Sequence, residues 1–473
     1  MSSFIRNLIG FSFASWIGFF IGIISVPLLT RILEPYQFAL LNQFLAASNL
    51  AMAVICLGMD SAFVRFYNEP PTGFTSELLL GKILSIIFSL LFLISLLALP
   101  FSKLWLPKIF GQVVSPIVAW GFIFAVMAQV IIRLFTTRFR MMNSIAAYTV
   151  ITVSLQLVSK FGVLLSLPFG KDSTILLLSC SITLGLLGGI TLLHGIIQGS
   201  VRLSRRRLLA DRSFISYSIA SWPVPVLIFG NIYFSQLIIR NAASPDVLGV
   251  FLSANFFASI LAVFQSGFSN YWSAYMFSNY SKSQSKIIKV HDYICFFVVV
   301  VLCIFIMSRD LIYLFIGPRF YGSKKIFALV LSAPLINIMV ETTAYGISIA
   351  KKAHYSLISY AILFILNITL TILLVPRFGM YGAGLAIMAS SAANLLIQTI
   401  FGQRYYKSIE NYGKLSFSLV SIIFLANINY FINNSFIISI VCILALIISI
   451  IAFHSIVSDI YTRTMLFLRV KKC

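Results

Sequence analysis

The chain has 473 residues, of which 60% are hydrophobic and only 10% are charged. A soluble domain is on average about 45–50% apolar and about 25% charged, so this composition excludes an ordinary soluble globular protein. The formal net charge is +22, yet the basic residues stand in small groups between long uncharged runs. That arrangement is typical of membrane loops and not of a nucleic-acid-binding face. We therefore expect an all-α integral membrane protein that binds no nucleic acid.

Fourteen apolar runs are long enough to cross a bilayer as helices, since one crossing needs about 20 residues. Continuous runs are not the pattern of a membrane β-barrel, which alternates over short segments. No small-residue cleavage site follows the first run, so we expect it to remain as a helix. The predicted helices cover residues 8–30, 38–59, 83–101, 112–132, 145–167, 174–199, 214–239, 247–272, 293–316, 326–346, 355–375, 380–401, 415–432 and 436–457.

The basic residues are distributed unequally between the two sides of the membrane. When both termini are placed on one side, 22 of the 34 Lys and Arg residues fall on that side, and 10 fall on the other. The positive-inside rule then predicts that both termini are cytoplasmic.

The loops between the runs are short, and the sequence has no GxxxxGK[ST] phosphate loop. A membrane polymerase or glycosyltransferase needs a large external loop for its active site, so the pattern favours a transporter over an enzyme. The four His residues are dispersed and the six Cys residues stand singly, so we expect no metal and no cofactor.

The two halves of the chain show an internal duplication. Arg31 ends the first run and Arg240 ends the seventh, an offset of 209 that also separates Gly170 from Gly379. An offset of six helices preserves orientation, which predicts parallel repeats around an axis along the membrane normal. We expect an N-terminal six-helix bundle at 1–200, a basic linker at 201–213, a second six-helix bundle at 214–402, and two additional helices with a basic tail at 403–473.

Lys160 and Glu341 are ionisable residues inside apolar runs, where a charge costs about 2.5–3.5 kcal/mol on insertion scales. Lys160 is fifteen residues from Ile145 and eight from Pro168. This position is too central for easy snorkelling, so we expect Lys160 to line a cavity. Glu341 has three alternatives: it pairs with a cavity cation, couples a proton, or caps a kink after Pro334.

Two pairs of charged residues lie at the ends of runs. Arg31 and Arg240 end equivalent helices, where each either anchors its helix at the interface or lines the cavity. Asp60 and Arg65 are five residues apart, and they form either a local ion pair or a substrate gate.

The sign of the buried charges indicates the substrate. A cavity whose charges are mainly cationic suits an anion, because Arg and Lys bind phosphate through charge-assisted hydrogen bonds. We expect Arg31, Lys160 and Arg240 to bind that anion. The amides of Asn231 and Gln236 are expected to contact sugars, and the basic rim to attract anionic membrane lipids.

Several segments resemble those of Wzx-type oligosaccharide flippases, which belong to the multidrug/oligosaccharidyl-lipid/polysaccharide (MOP) exporter superfamily. The segment LLTRILEPY at 28–36, followed by LGMDSAFVRFY at 57–67, is similar to the N-terminal signature of that family. Later segments that resemble it are DLIYLFIGPRFYGSKKIFALV at 310–330, GISIAKKAH at 346–354 and PRFGMYGAG at 376–384.

One position departs from the family pattern. The family often has an Asp-Arg pair near the outer end of its seventh helix, where this chain has Ser235 and Gln236. No ion-coupling acid is therefore carried over to that position.

The resemblance implies a V-shaped, MATE-like molecule that works by alternating access. It implies a flippase that moves an undecaprenyl-diphosphate-linked oligosaccharide, such as an O-antigen repeat unit, from the cytoplasmic to the periplasmic leaflet of a bacterial inner membrane. An ion gradient would drive transport, and a polysaccharide polymerase and a chain-length regulator would be partners.

Two other functions remain as alternatives. A cation-coupled multidrug exporter of the same superfamily is disfavoured because buried acids are scarce. A membrane glycan polymerase or glycosyltransferase is disfavoured because the large external loop is missing.

Overall fold

The structure, a computed structural model, describes residues 2–170, 172–199, 201–202, 208, 211–350, 352, 354–459 and 462. Within these ranges the side chains of residues 2–15, 266, 270, 271, 274, 277 and 278 are not described. Much of the expected linker at 201–213 and most of the tail after residue 459 therefore lie outside the described residues.

Every regular element in the described ranges is helical, which confirms the predicted all-α class. The α-helices are α1 (Ser2–Ile32), α2 (Pro35–Ile55), α3 (Met59–Arg65), α4 (Ser76–Ala98), α5 (Ser102–Phe110), α6 (Ile117–Met141), α7 (Ile145–Phe161), α8 (Ser173–Ile197), α9 (Arg212–Ser221), α10 (Pro223–Ala242), α11 (Pro245–Asn279), α12 (Gln284–Met307), α13 (Arg309–Tyr313), α14 (Phe327–Thr343), α15 (Tyr345–Ile349), α16 (His354–Tyr405), α17 (Tyr412–Phe431) and α18 (Ser435–Ala452).

Among the described residues, eleven helices are long and apolar enough to cross a membrane. A twelfth crossing follows if the 3-10 turn Pro318–Lys325 and α14, which meet at a bend of 60°, form one span. The chain is therefore a multi-pass membrane protein. Fourteen crossings remain a prediction, which requires α1 to cross once and α16 to cross twice.

Helix α16 is long enough for two crossings. Its 52 residues would extend about 78 Å as one straight helix, against about 30 Å for the bilayer core. The helix breaks at Gly379, whose φ of 55° and ψ of −132° are not helical. Glycine adopts such a backbone without the steric cost that a side chain would add. The break falls between the predicted runs 355–375 and 380–401.

Polar residues at loop ends define where several helices begin. Asp172 and Asn434 accept hydrogen bonds from the first backbone N–H groups of α8 and α18. Asp211 caps α9 in the same way, outside the membrane-spanning segments. Hydrogen bonds from the Ser213 hydroxyl and the Phe214 N–H hold the pKa of the Asp211 carboxyl below its usual range. These caps satisfy donors that a helix leaves unpaired in its first turn.

The described chain divides into two compact units, residues 1–252 and 253–473. Unit 1 contains α1 to α10 and the first part of α11, and unit 2 contains the remainder. This division lies after the expected linker at 201–213, and the repeat boundaries remain a prediction.

In unit 2, α14 is the most enclosed helix. Fourteen of its 17 residues are buried, from Phe327 to Thr343. Such a helix is apolar on all sides because it packs on several neighbours at once. Those neighbours are α12, α16 and α17.

In unit 1, α8 packs closely on α6 through glycines. A Cβ atom added at Gly188 would lie 2.7 Å from both Cα and Cβ of Ala128. A Cβ atom at the adjacent Gly189 would meet no atom within 4 Å. Small residues let membrane helices approach closely, so Gly188 sets the distance between these two helices.

We predict that Gly188→Ala lowers the free energy of unfolding by about 1–3 kcal/mol, because the added methyl group overpacks the contact with Ala128. Thermal unfolding of the purified protein in detergent measures this change. Gly189→Ala is the matched control, and it should leave stability unchanged or raise it by about 0.5–1 kcal/mol. Equal effects of the two substitutions would contradict the role of Gly188 in helix spacing.

Candidate functional site

Unit 1 contains a cavity of about 450 Å³ between α2, α6 and α7, with one residue from α10. Its polar lining mixes cations, amides and hydroxyl groups, and the described lining contains no acidic residue. The residues are Leu45, Asn49 and Met52 of α2; Gln129, Ile132, Arg133, Thr136, Thr137 and Arg140 of α6; Tyr148, Thr152, Leu155, Gln156, Ser159 and Lys160 of α7; and Phe229 of α10.

The polar residues of the cavity follow one face of each helix. On α6, Gln129, Arg133 and Arg140 are separated by four and seven residues. On α7, Tyr148 and Lys160 are twelve residues apart, with Thr152 and Gln156 at the intervening steps of four. Residues three, four or seven apart share a helix face. Two apolar membrane helices thus each present a polar stripe to the same space.

The three cations of the cavity stand at different depths. Helices α6 and α7 are joined by a short turn at 142–144, so Arg140 and Tyr148 lie near the same end. At 1.5 Å per residue, Arg133 lies about 10 Å along α6 from Arg140. Lys160 lies about 18 Å along α7 from Tyr148. The positive charge therefore extends along the cavity and is not gathered at its mouth.

Only one of these cations pairs with an acid among the described residues. Arg133 Nε donates to Asp60 Oδ2 at 3.0 Å, while Asp60 itself is buried. The side chain of Arg133 is about half exposed, and its two terminal nitrogens donate to no described group. Lys160 is partly buried and Arg140 is exposed, and the side chains of both lack a hydrogen-bond or ion-pair partner in the described part of the chain. The cavity therefore holds positive charge that its own wall compensates only in part.

Gln129 contributes an unused acceptor to the cavity wall. Its Nε2 donates to Ser48 Oγ at 2.9 Å. Its Oε1 is buried and has no hydrogen-bond partner among the described residues. Because an unsatisfied buried acceptor costs about 1–3 kcal/mol, a hydroxyl donor in the cavity would be stabilised there.

Of the predicted site residues, Lys160 lies in the described lining of this cavity. Asp60 is not in that lining, but it contacts the lining residue Arg133. The local pair of Asp60 with Arg65 is not formed, because Asp60 faces α6 while Arg65 ends α3 and binds the exposed Glu69 at 3.1 Å. Arg65 is thus separate from the cavity lining.

Arg240 occupies a different place, beside a smaller cavity of about 200 Å³. Its guanidinium is buried and donates to Gln43 Oε1 at 3.0 Å. It also donates to the carbonyl oxygens of Ile109 at 2.6 Å and Lys108 at 2.9 Å, at the end of α5. Lys and Arg side chains commonly satisfy the last carbonyls of a helix in this way. Arg240 therefore joins α10 to α2 and to the end of α5.

The other predicted residues of unit 1 lie outside the lining of the larger cavity. Arg31 is exposed at the end of α1. Gln236 is buried on α10 with its Oε1 unpaired among the described residues, and Asn231 is partly buried on the same helix. Their roles in binding remain predictions.

Glu341 lies in unit 2, where it is partly buried on α14. Its Oε2 accepts a hydrogen bond from Ser269 Oγ at 3.0 Å. Ser269 is on α11. All three alternatives for Glu341 remain predictions: pairing with a cavity cation, coupling of a proton, and capping of a kink after Pro334.

Sequence reasoning did not identify three important members of the site, namely Arg133, Arg140 and Gln129. Arg133 looks like an interface residue because it stands near the end of its apolar run. The sequence pattern that could have identified Arg133 is the helical spacing of Gln129, Arg133 and Arg140 on α6. Within the described residues, no group of three His, Cys, Asp or Glu side chains could hold a metal ion.

We predict that Arg240→Met lowers the free energy of unfolding by about 2–4 kcal/mol, because it leaves Gln43 and two carbonyl oxygens without their donor. Thermal unfolding in detergent measures the loss. Arg140→Met, which removes an exposed cation of the same unit, should leave stability nearly unchanged. A stable Arg240→Met protein that has lost substrate binding would instead identify Arg240 as a substrate-binding cation.

The comparison with known proteins rests on structure alone. Neither a protein-family model nor a curated protein sequence matches the chain. Among solved structures, the chain is similar to "Lipid II flippase MurJ" in its inward closed conformation, with a TM-score of 0.72 and 15% identity over 96% of this chain and 99% of that one.

The chain is also similar to multidrug resistance MATE family transporters of the MOP superfamily. The outward-facing structure gives a TM-score of 0.55 with 14% identity, over 84% of this chain and 95% of that one. The inward-facing structure gives a TM-score of 0.51 with 15% identity, over 87% of this chain and 95% of that one. At these identities the likeness establishes the fold. The chain therefore has the fold of the MurJ and MATE transporters of the MOP superfamily.

Proposed function

We propose that the chain is a flippase for an undecaprenyl-diphosphate-linked oligosaccharide, such as an O-antigen or related repeat unit. It would act by alternating access in a bacterial inner membrane, from the cytoplasmic to the periplasmic leaflet. The observation that carries the proposal is the cavity of unit 1, in which Arg133, Arg140 and Lys160 face a space with no acidic residue in its lining. Membership of the Wzx type within the superfamily is part of the same proposal.

The charge of the cavity supports an anionic head group. A diphosphate brings two negative charges, and Arg140 and Lys160 make no ion pair with a described residue. Hydrogen bonds between ionised partners are shorter and about twice as strong as neutral ones. Arg133 adds its two terminal nitrogens, while its Nε is held by Asp60. A diphosphate would thus complete an arrangement of donors that the cavity leaves open.

The uncharged residues of the lining are suited to bind a sugar next to that diphosphate. Asn49, Gln129 and Gln156 offer amides, and Tyr148 and Phe229 offer aromatic surfaces. A volume of about 450 Å³ lies in the range of about 300–1,000 Å³ that small-molecule sites occupy. This is enough for a diphosphate and the first sugars, while the prenyl chain would remain in the bilayer.

A cation-coupled multidrug exporter of the same superfamily is the second candidate, and the likeness to MATE transporters favours it. A site for cationic drugs needs acidic groups, and the lining of this cavity has none. A polymerase or glycosyltransferase has no specific support from the fold. A polysaccharide polymerase and a chain-length regulator remain proposed partners of the flippase.

We predict that a strain without this protein accumulates complete lipid-linked repeat units on the cytoplasmic leaflet and loses its surface polysaccharide. Lipid extraction with leaflet-specific labelling measures this. Complementation with Lys160→Met should restore transport about 10- to 100-fold less well than the natural chain, because one charge-assisted hydrogen bond contributes about 1.5–3 kcal/mol.

Two variants serve as controls for that experiment. Lys160→Arg keeps the charge and should retain most of the transport, and Lys103→Met removes an exposed cation of the same unit without effect. Full transport by Lys160→Met would contradict binding of the diphosphate at this cavity. A deletion strain with normal surface glycan and no accumulated lipid would favour the drug exporter.

Coupling to an ion gradient is proposed through Glu341. If its carboxylate binds the coupling ion, Glu341→Gln should make transport insensitive to collapse of the proton or sodium gradient, while the natural chain slows. Reconstituted vesicles with and without ionophore measure the difference. Glu410→Gln changes an exposed acid of the same unit and should behave like the natural chain. Unchanged gradient dependence in Glu341→Gln would remove Glu341 from the coupling.

A further inference from the structure

Unit 2 contains a second cavity, of about 560 Å³, where α11 ends and α12 begins. It is formed by the last turns of one apolar helix and the first turns of the next, so it opens near one surface of the membrane. Its lining combines aromatic rings, a hydroxyl group and cations, and none of the described residues that form it is acidic. The residues are Trp272, Tyr275, Ser285, Lys286, Lys289, Val290 and Tyr293.

The positive charge of this cavity comes from Lys286 and Lys289, one turn apart on α12. Both side chains are exposed, and neither forms an ion pair within the described chain. The first turn of α12 contains no acidic residue, and its N-cap Ser283 makes no side-chain capping bond. The N-terminus of a helix carries a partial positive charge, which adds to that of the two lysines.

Trp272 supplies a second, independent observation at this cavity. Its side chain is 1% exposed, and its Nε1 has no hydrogen-bond acceptor in the described residues. The indole stacks between Phe268 and Tyr275, with ring centroids 5.6 and 5.5 Å away. The ring is therefore held in place while its one donor lacks a partner. A buried Trp N–H usually finds an acceptor, so an acceptor from outside the chain would stabilise this site.

The acids beside Lys289 lie in a neighbouring cavity of about 900 Å³, which Lys289 lines together with Asp292, Glu410 and Asp459. Asp292 pairs with Lys414, and Asp459 accepts a hydrogen bond from the Tyr293 hydroxyl. None of these three acids belongs to the described lining of the cavity at Trp272. None of them forms an ion pair with Lys286 or Lys289 in the described part of the chain.

We propose that this cavity binds the phosphodiester head group of an anionic phospholipid. Lys286 and Lys289 neutralise the phosphate, and the Nε1 of Trp272 donates to an oxygen of the head group. Trp and Tyr side chains are enriched at the membrane–water interface, and basic pockets between membrane helices bind anionic head groups. The combination of two lysines without an ion pair and a buried orphan indole distinguishes this place from the general basic rim.

The test uses the full-length protein, delipidated in detergent and titrated with phosphatidylglycerol, with binding followed by native mass spectrometry. Lys286→Gln combined with Lys289→Gln should weaken the tightest binding about 25-fold, since each lysine near a membrane surface contributes about a factor of five. Trp272→Phe preserves the stacking but removes the donor, and it should weaken binding about tenfold.

The controls distinguish this site from general attraction to lipid. Lys103→Gln combined with Lys108→Gln removes two exposed cations of unit 1 and should leave the tightest affinity unchanged. The proposal would be overturned if the Lys286/Lys289 double variant bound the lipid as tightly as the natural chain. It would also be overturned if the Lys103/Lys108 control lost as much affinity as that variant. Displacement of the lipid by excess inorganic phosphate would assign the cavity to free phosphate and also overturn it. Because the readout is binding, a failure here leaves the proposed transport untouched.

Discussion

The lack of water in the bilayer core is the constraint on which this structure depends. A polar group there must find its partner inside the protein or in a water-filled cavity. The polar stripes of α6 and α7 satisfy this condition together, since both line one cavity in unit 1. The ion pair of Arg133 with Asp60 joins α6, which lines this cavity, to α3. The candidate site is thus a consequence of where polar residues can be tolerated.

The class of the fold could be predicted from composition because uncharged apolar runs of about 20 residues are typical of membrane-spanning helices. The break of α16 at Gly379 could also be predicted, since it falls between the predicted runs 355–375 and 380–401. The exact number of crossings stays a prediction, because eleven or twelve helices of the described chain have the length and hydropathy that a crossing needs.

The site was predicted less completely than the fold, for a different physical reason. Lys160 stands out because a lysine in the middle of an apolar run is costly and rare. Arg240 stands out because it ends its helix at the position equivalent to Arg31, yet its guanidinium is held by Gln43 and the end of α5. The sequence contains no sign of those partners, which come from distant segments. Whether a buried cation faces a substrate or a helix end is decided by packing.

The hydrogen bonds around Gln129 have a consequence for the polarity of the cavity wall. The hydroxyl of Ser48 donates to the carbonyl oxygen of Leu45, so it can only accept from Gln129. The amide of Gln129 must therefore present Nε2 to Ser48, and its oxygen is fixed in the opposite direction. A flipped amide would lose this bond and leave two acceptors facing each other. The wall thus combines hydrogen-bond donors at its cations with an acceptor of fixed orientation at Gln129.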